Sequence, residues 1–341
     1  IPGLIHAVKR FGRYVIDLVL FQHGTHLVNG TALTARLMKS GDDLGVKYWV
    51  NSPATELVTD TKGTVTGVVA KTPTGIHTIR ARRGVVLATG GFPQNVELRK
   101  KHFPMNPTGR EHCSLAPHTA DGAGLRLAES AGGYLKDDLK SPAAWCPVSL
   151  VHYRTGRVGV FPHIMDRAKP GGISVRADGK RFVNEANGYY DYVDGLIKAT
   201  PKGKPVEAWM IGDSTFVAKY PLGFAKPRPV PKFSYLWNKY LIKAPTLTAL
   251  AKKCGIDAAQ LTKTVAEFNK NARAGVDPVF ERGSTEFNRY GGDPRVKPNP
   301  SLAPLEKGPF YAVKVLPGSF GTFAGIAADA QARVLTKAGK P

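Results

Sequence analysis

The stretch Gly84–Asn95 reads GVVLATGGFPQN, and its residue types suit contact with a bound cofactor. Val85, Val86, Leu87 and Ala88 make a short apolar run, the pattern of a strand buried on both faces in the core of a parallel sheet. Gly90 and Gly91 follow, and without side chains they let a backbone pass close to a ligand. Ligands of open α/β sheets collect outside the carboxyl ends of the strands. Thr89, Gly90 and Gly91 are therefore the first candidates for cofactor contact; the same residues would also serve a strand-to-helix turn that holds nothing. A second candidate is HTADGAGLRLAESAGG at 118–133. There Thr119 or Asp121 can cap a helix carrying Leu125, Leu127 and Ala128 and stopped by Gly132–Gly133. The N–H groups at such a start can hold an anion or a polar cofactor edge, although a plain capped helix has the same signature.

Other chemistries find less support. The chain of 341 residues has three cysteines, Cys113, Cys146 and Cys254, widely separated and odd in number. They form neither a disulfide framework nor a zinc spacing, which fits a reducing compartment such as the cytoplasm. Its nine histidines show no metal pattern, and HGTH at His23 and His26 is too short and glycine-rich to set two ligands on one helix face. Lys and Arg number 48 against 26 Asp and Glu, a net charge of +22. Such a surplus allows an anionic partner. The basic residues are scattered, however, with short clusters at Arg80–Arg83 and Arg99–Lys101 and no run interleaved with aromatics, so a solvated positive surface is expected rather than a specific nucleic-acid site. The best apolar run, Tyr14–Phe21, is broken by Asp17 and falls short of the ~18 residues a membrane helix needs.

The elements that would position these residues follow from local patterns. The amino-terminal residues up to about 25 have no clear assignment. A helix is expected from Asn29, capped by Asn29 or Gly30 and carrying Leu33, Leu37 and Leu44, then a strand at Val46–Val50. Short strands at Thr55–Thr59, Thr64–Ala70 and His77–Arg80, separated by turns at Asp60–Gly63 and Thr72–Gly75, predict an antiparallel meander inserted before the Gly84–Ala88 strand. Asn95–His102 reads as helix. Composition shifts near Lys140–Pro147, and from there to about Gly308 proline and aromatics become more frequent, as in a second domain. Within it Asp257–Arg273 is the clearest helix, with Leu261, Val265, Phe268 and Ala272 on one stripe. RFVNEANGYYDYV, residues 181–193, reads as a strand-like start and a polar, tyrosine-rich loop. GPFYAVKVLPGSFGTFAGIAADAQARVL, residues 308–335, reads as a strand, a glycine-broken loop at Gly318–Gly325 and a further short strand.

Taken together, LVNGTALTARLMKSGDDLGVKYWVNSPATELV, GVVLATGGF, HTADGAGLRLAESAGG, ADGKRFVNEANGYYDYV and PFYAVKVLPGSFGTFAGI resemble, in order from residue 27 to 335, the FAD-binding flavoproteins of the fumarate reductase and 3-ketosteroid Δ1-dehydrogenase type. The ketosteroid-dehydrogenase-like branch is the more similar. The resemblance implies an α/β chain in which a Rossmann-like FAD domain with the meander, residues 1–138 and 309–341, carries an inserted α+β catalytic or capping domain, 139–308. It implies that Ala54 presents backbone to the adenine, that Thr89, Gly90 and Gly91 run beside the dinucleotide, and that Thr119, Asp121 and Gly122 meet the flavin. Ala120 stands where the family has a glycine. Gly321 and Thr322 resemble the loop over the flavin ring, with Ala324 in place of a second glycine.

After R-F-V-N-E, fumarate-reducing relatives carry an arginine as proton donor, whereas in ketosteroid dehydrogenases the position resembles a catalytic tyrosine base. Here it is Tyr189, followed by Tyr190. The dicarboxylate-binding histidine is absent from SPAAWCPV. Both departures imply a less charged ketone, steroids included, with Trp145 as a flat apolar wall. Dehydrogenation next to a ketone needs a base for the α-proton and an acceptor for the β-hydride, the latter FAD, reoxidised by an external electron acceptor. A phenol of reference pKa ~10 is ionised only to about one part in a thousand at pH 7, so it needs positive charge nearby, for which Arg181 is the candidate. No G-x-G-x-x-G follows a strand in this sequence, and the glycine- and proline-rich carboxyl segment of the family is not seen. The chain thus resembles the interior of a longer enzyme. The competing expectations are a flavin-dependent reductase of an unsaturated carboxylate and an inactive basic binding fragment.

Overall fold

The computed structural model describes residues 2–341. It divides into two compact units: the first takes the chain up to Glu56 together with Val68–Arg80, the second Leu57–Gly67 and Ala81–Pro341. In the first, the amino-terminal residues form helix α1 (Pro2–Phe21), and α2 (Asn29–Asp43) follows. The link between them is pinned by Asp17, whose carboxylate accepts from the Thr25 N–H at 2.9 Å and its hydroxyl at 2.8 Å. The expected cap does not form, because Asn29 lies inside α2 and Val28 precedes it without a side-chain hydrogen bond. The expected meander is present as β1 (Ala54–Thr59), β2 (Val65–Thr72) and β3 (Gly75–Arg80), in that order across the sheet.

Two expected strands are not formed. Val46–Val50 and Gly84–Ala88 are irregular, and Val86 is 89% exposed. An isolated strand cannot satisfy its own backbone, and a buried parallel one needs a neighbour on each side. Among the described residues nothing pairs with either segment.

The second unit continues through α3 (Val96–His102), β4 (Cys113–Ser114), α4 (Ala123–Ser130), β5 (Leu135–Lys136), β6 (Ala143–His152), β7 (Val158–Pro162), β8 (Gly172–Val175), α5 (Tyr189–Ala199), β9 (Ala208–Gly212), α6 (Ser214–Lys219), α7 (Phe233–Trp237) and β10 (Ile242–Ala244). It ends with α8 (Leu247–Cys254), α9 (Ala258–Ala274), α10 (Glu286–Gly291), β11 (Phe310–Thr322) and β12 (Gly325–Ile326). A seven-stranded sheet runs β7-β6-β11-β9-β8, with β10 and β4 also pairing to β11. Side chains alternate across it, as strand geometry requires. Met210 and Val313 face one core with Tyr192, Val193 and Leu196 of α5, whereas Ile211 and Ala312 face another with Leu250, Leu261 and Val265 of α8 and α9. The α9 stripe is thus core, as its spacing predicts, and Asp257 caps that helix by accepting from Gln260 N–H at 2.8 Å.

Strand β11 corrects the expectation of a glycine-broken loop at Gly318–Gly325: the strand continues to Thr322, with a one-residue shift of its pairing against β6 between Ser319 and Thr322. Gly318 pairs with Cys146 of β6 on one side and with Cys113 of β4 on the other. A Cβ there would lie 2.6 Å from the Cys113 carbonyl oxygen and the Val148 Cγ1, and 2.8 Å from the Cys146 oxygen. The glycine lets three strands meet; it does not break one. Gly318→Ala should cost about 3 kcal/mol, because two of the three clashing atoms are backbone, and a lower urea midpoint with unchanged slope would show it.

Candidate active site

Two turns of the second unit are laced together. Gly122 N–H donates to the Gly91 carbonyl at 3.2 Å, Gln94 N–H to Ala120 O at 3.0 Å, and the Asn95 side chain to Asp121 O at 3.0 Å. The α4 cap is Gly122, at φ 85 and without a side-chain bond, not Thr119 or Asp121. Asp121 still supports the turn, accepting from Ala123 N–H at 3.0 Å, while its other oxygen meets Arg126 at 3.1 Å. Thr119 is exposed on the preceding turn. Close approach explains the glycines: a Cβ on Gly124 would sit 2.0 Å from Thr89 Oγ1, and one on Gly91 would sit 1.9 Å from Thr322 Oγ1. Gly90, at φ 75, has open space where a Cβ would project.

The end of β11 joins this turn to the tyrosines. Thr322 packs on Gly91, and its hydroxyl is buried with no hydrogen-bond partner. On either side of Gly321–Thr322, Phe320 meets Tyr189 edge to face at 5.3 Å and Phe323 meets Tyr190 at 6.3 Å. Tyr189, Phe320 and Phe323 are 39%, 40% and 52% exposed, so their rings form an open aromatic surface. The chain turns sharply after it because Phe323 and Ala324 both donate to the Pro142 carbonyl, at 2.8 and 3.0 Å. Residues 181–188 are not strand-like, and Tyr189 opens helix α5 directly after Gly188. The positive end of that helix favours an anion near its first turn, with Asp191 two residues on opposing it.

Two expected substrate residues lie elsewhere. Arg181 is buried, 2.7 Å from Glu185 and 2.8 Å from Asp277, with its guanidinium over the rings of Phe268 and Phe280. It cannot serve Tyr189, because its charge is satisfied by two carboxylates. Trp145 is buried on β6 against Phe103 and His112, at 5.2 and 5.3 Å, as core rather than as an exposed wall. Ala54 belongs to the first unit, exposed at the start of β1. Phe320, Phe323 and Gly124 were not singled out from sequence; the spacing of small and aromatic residues in GSFGTFAG was the available signal for the first two.

These observations fit one side of a dinucleotide site: glycine backbones with no room or no need for side chains, N–H groups at the start of α4, and an orphaned Thr322 hydroxyl. The FAD binding domain family model matches residues 6–341, and the chain belongs to that family of flavoproteins, with FAD as its cofactor. More particularly, it is 43% identical over its whole length to the 4-oxocyclohex-2-ene-1-carboxylate 5-dehydrogenase of Sinomonas cyclohexanicum, covering 58% of that protein. It is 35% identical, over 92% of its length and 55% of the relative's, to the 3-oxosteroid 1-dehydrogenase of Mycolicibacterium smegmatis. The crystal structure of 3-ketosteroid Δ1-dehydrogenase from Sterolibacterium denitrificans, in complex with 1,4-androstadiene-3,17-dione, matches with TM-score 0.90 at 34% identity, over 99% of this chain and 61% of that one. The mixed α/β flavoprotein fold is therefore established, and the chain spans a little over half the length of these relatives.

Replacing Gly91 by alanine tests the close approach. The added methyl meets both Oγ1 and Cβ of Thr322, at 1.9 and 3.2 Å, so turning the hydroxyl aside does not make room. Flavin affinity should fall by about ten-fold or more, measured by flavin fluorescence quenching on the deflavinated full-length protein. Gly90→Ala, with space but a left-handed backbone, should show only the lesser strain of about 1 kcal/mol.

Proposed function

We propose that the chain belongs to an FAD-dependent dehydrogenase that desaturates a ring ketone at its α and β carbons. Its FAD domain would comprise 1–138 and 309–341, with the catalytic domain 139–308 inserted. The observation that carries the reading is the end of β11, which sets Phe320 and Phe323 on Tyr189 and Tyr190 while Thr322 between them rests on the cofactor turn at Gly91. Thr89, Gly90, Gly91, Gly122 and Thr322 would hold FAD in this unit, Thr119, Asp121 and Gly321 lying on the same turns. When bound, FAD supplies the acceptor for the β-hydride. Tyr189 would take the α-proton as its phenolate, the electron pair of that C–H bond becoming the new C=C bond as the β-hydride leaves; with Arg181 paired to carboxylates, the amino-terminal end of α5 is the positive field at hand for an anion there. Tyr190 flanks it, and the exposed rings exclude water from the face of a flat, apolar substrate.

The substrate class is an alicyclic ketone, the chemistry shared by oxocyclohexane-type carboxylates and 3-ketosteroids, with an external acceptor closing the cycle. A fumarate-type reaction is less favoured because Tyr189 stands where that reaction needs an arginine. The test is anaerobic mixing of the full-length protein with ketones of both kinds. Bleaching of the flavin with formation of the enone is the expected result. Fumarate reduction by the reduced enzyme without any ketone oxidation would overturn the proposal.

A further inference from the structure

We propose that the cleft between α3 and the 202–206 turn is a binding site for an amphipathic carboxylate, separate from the aromatic and glycine site. The cleft has a volume of about 600 Å³, within the range of small-molecule sites. Phe103, Met105, Pro205 and Val206 give it an apolar wall, and Lys100, Lys202 and Lys204 stand at it. Among the described residues the lysines paired with carboxylates are others, Lys39, Lys136, Lys198 and Lys314. Glu111 is the one acidic residue of the lining. Its carboxylate is engaged, accepting from the Thr108 hydroxyl at 2.7 Å and from Arg110 N–H at 3.1 Å. Three lysines against one committed glutamate leave the lining cationic, a field that attracts an organic anion.

Asn106 closes the inner side of the cleft. It is 4% exposed, lines the cleft, and accepts from Glu111 N–H through Oδ1 at 3.1 Å. That bond fixes the amide orientation, because the backbone N–H requires an acceptor. Nδ2 is therefore left as a buried donor without a partner, closed off from the cleft. A smaller void of about 10 Å³ beside Asn106, bounded also by Ile197 and Trp145, admits no more than about one water. A ligand's carboxylate would thus bind at the lysines, with its hydrocarbon along Met105 and Pro205. The site is not the aromatic one: Ile197 lies eight residues along α5 from Tyr189, about 12 Å of helix.

Calorimetric titration of the full-length, flavin-loaded protein with decanoate and with 1-decanol tests the proposal. Decanoate should bind about ten-fold more tightly than the alcohol. K202Q/K204Q, two exposed substitutions, should abolish that preference with the flavin spectrum unchanged. Equal binding of acid and alcohol, or decanoate binding unaltered in K202Q/K204Q, overturns it.

Discussion

Replacing Tyr189 by phenylalanine should lower turnover of the ring ketone by about a thousand-fold, the usual scale of a lost general base, and leave flavin affinity and ketone affinity in place. The substitution keeps the ring, and with it the edge-to-face contact with Phe320 at 5.3 Å, so any loss belongs to the hydroxyl. The rate of flavin bleaching in a single anaerobic turnover is the measurement, since it isolates proton and hydride transfer from reoxidation. Solvent-exchange of the substrate's α-proton gives a separate readout, and it should cease in Tyr189→Phe. Tyr190→Phe, whose ring packs on Phe323, is the comparison that shows whether one hydroxyl or both are required. Unchanged bleaching in Tyr189→Phe would remove the tyrosine from the chemistry while leaving the family assignment untouched.

The second large effect lies behind α5. Glu185 is buried between Arg181 and the fully buried Arg282, at 2.7 and 3.2 Å, and accepts from Ser174 N–H at 3.0 Å. Burial alone would raise its carboxyl, but the two guanidinium groups outweigh that and hold it at about 2. A depressed folded-state pKa gives stability that is complete above the unfolded value near ~4.3 and is lost as pH falls toward 2. The linked loss is on the order of 3 kcal/mol, visible as urea midpoints that fall between about pH 4.5 and 2. Glu185→Leu should cost roughly 3–5 kcal/mol at neutral pH, because it leaves two buried cations with Asp277 as the remaining carboxylate of the cluster. It should also flatten the acid branch. The same cluster fixes the approach to the proposed active site: Arg167, buried on the Tyr192 ring, donates to the carbonyls of Glu185 and Asn187 at 2.8 and 3.0 Å, just before Tyr189. A destabilised Glu185 variant should therefore lose turnover as well as stability.

What could be read from the residues was what local physics decides. The Asp257 cap and the Leu261–Ala272 stripe lie within one helix, and the meander's turns lie within a few residues of its strands, so both were legible. The start of α5 was not, because its cap is Gly188 and carries no Ser, Thr or Asp signature. Arg181 is claimed by Glu185, four residues on, and by Asp277, 96 residues away in the chain, and the second partner is beyond local reading. Gly318 was misread because a glycine in a strand marks either a break or a close neighbour, and the neighbours, β4 and β6, come from far upstream. Among the site residues, Thr89, Gly90, Gly91, Gly122 and Thr322 fall together in the fold. Arg181 and Trp145 went into the core, where charge pairing and ring packing claim them.

Strand β11 also constrains how this protein can change over generations. Its inner residues sit in the middle of the sheet, and the residues at its far end face the glycine turn and the tyrosines. A slip of one residue turns every side chain to the opposite face, which would take Thr322 off Gly91 and Phe320 off Tyr189 together. Single-residue insertions and deletions between Phe310 and Ser319, where the pairing with β6 and β9 is continuous, should therefore abolish the proposed activity, whereas exchanges at outward positions such as Lys314 should be neutral. Sequence drift in this strand can proceed by substitution alone, and its length should be inherited unchanged.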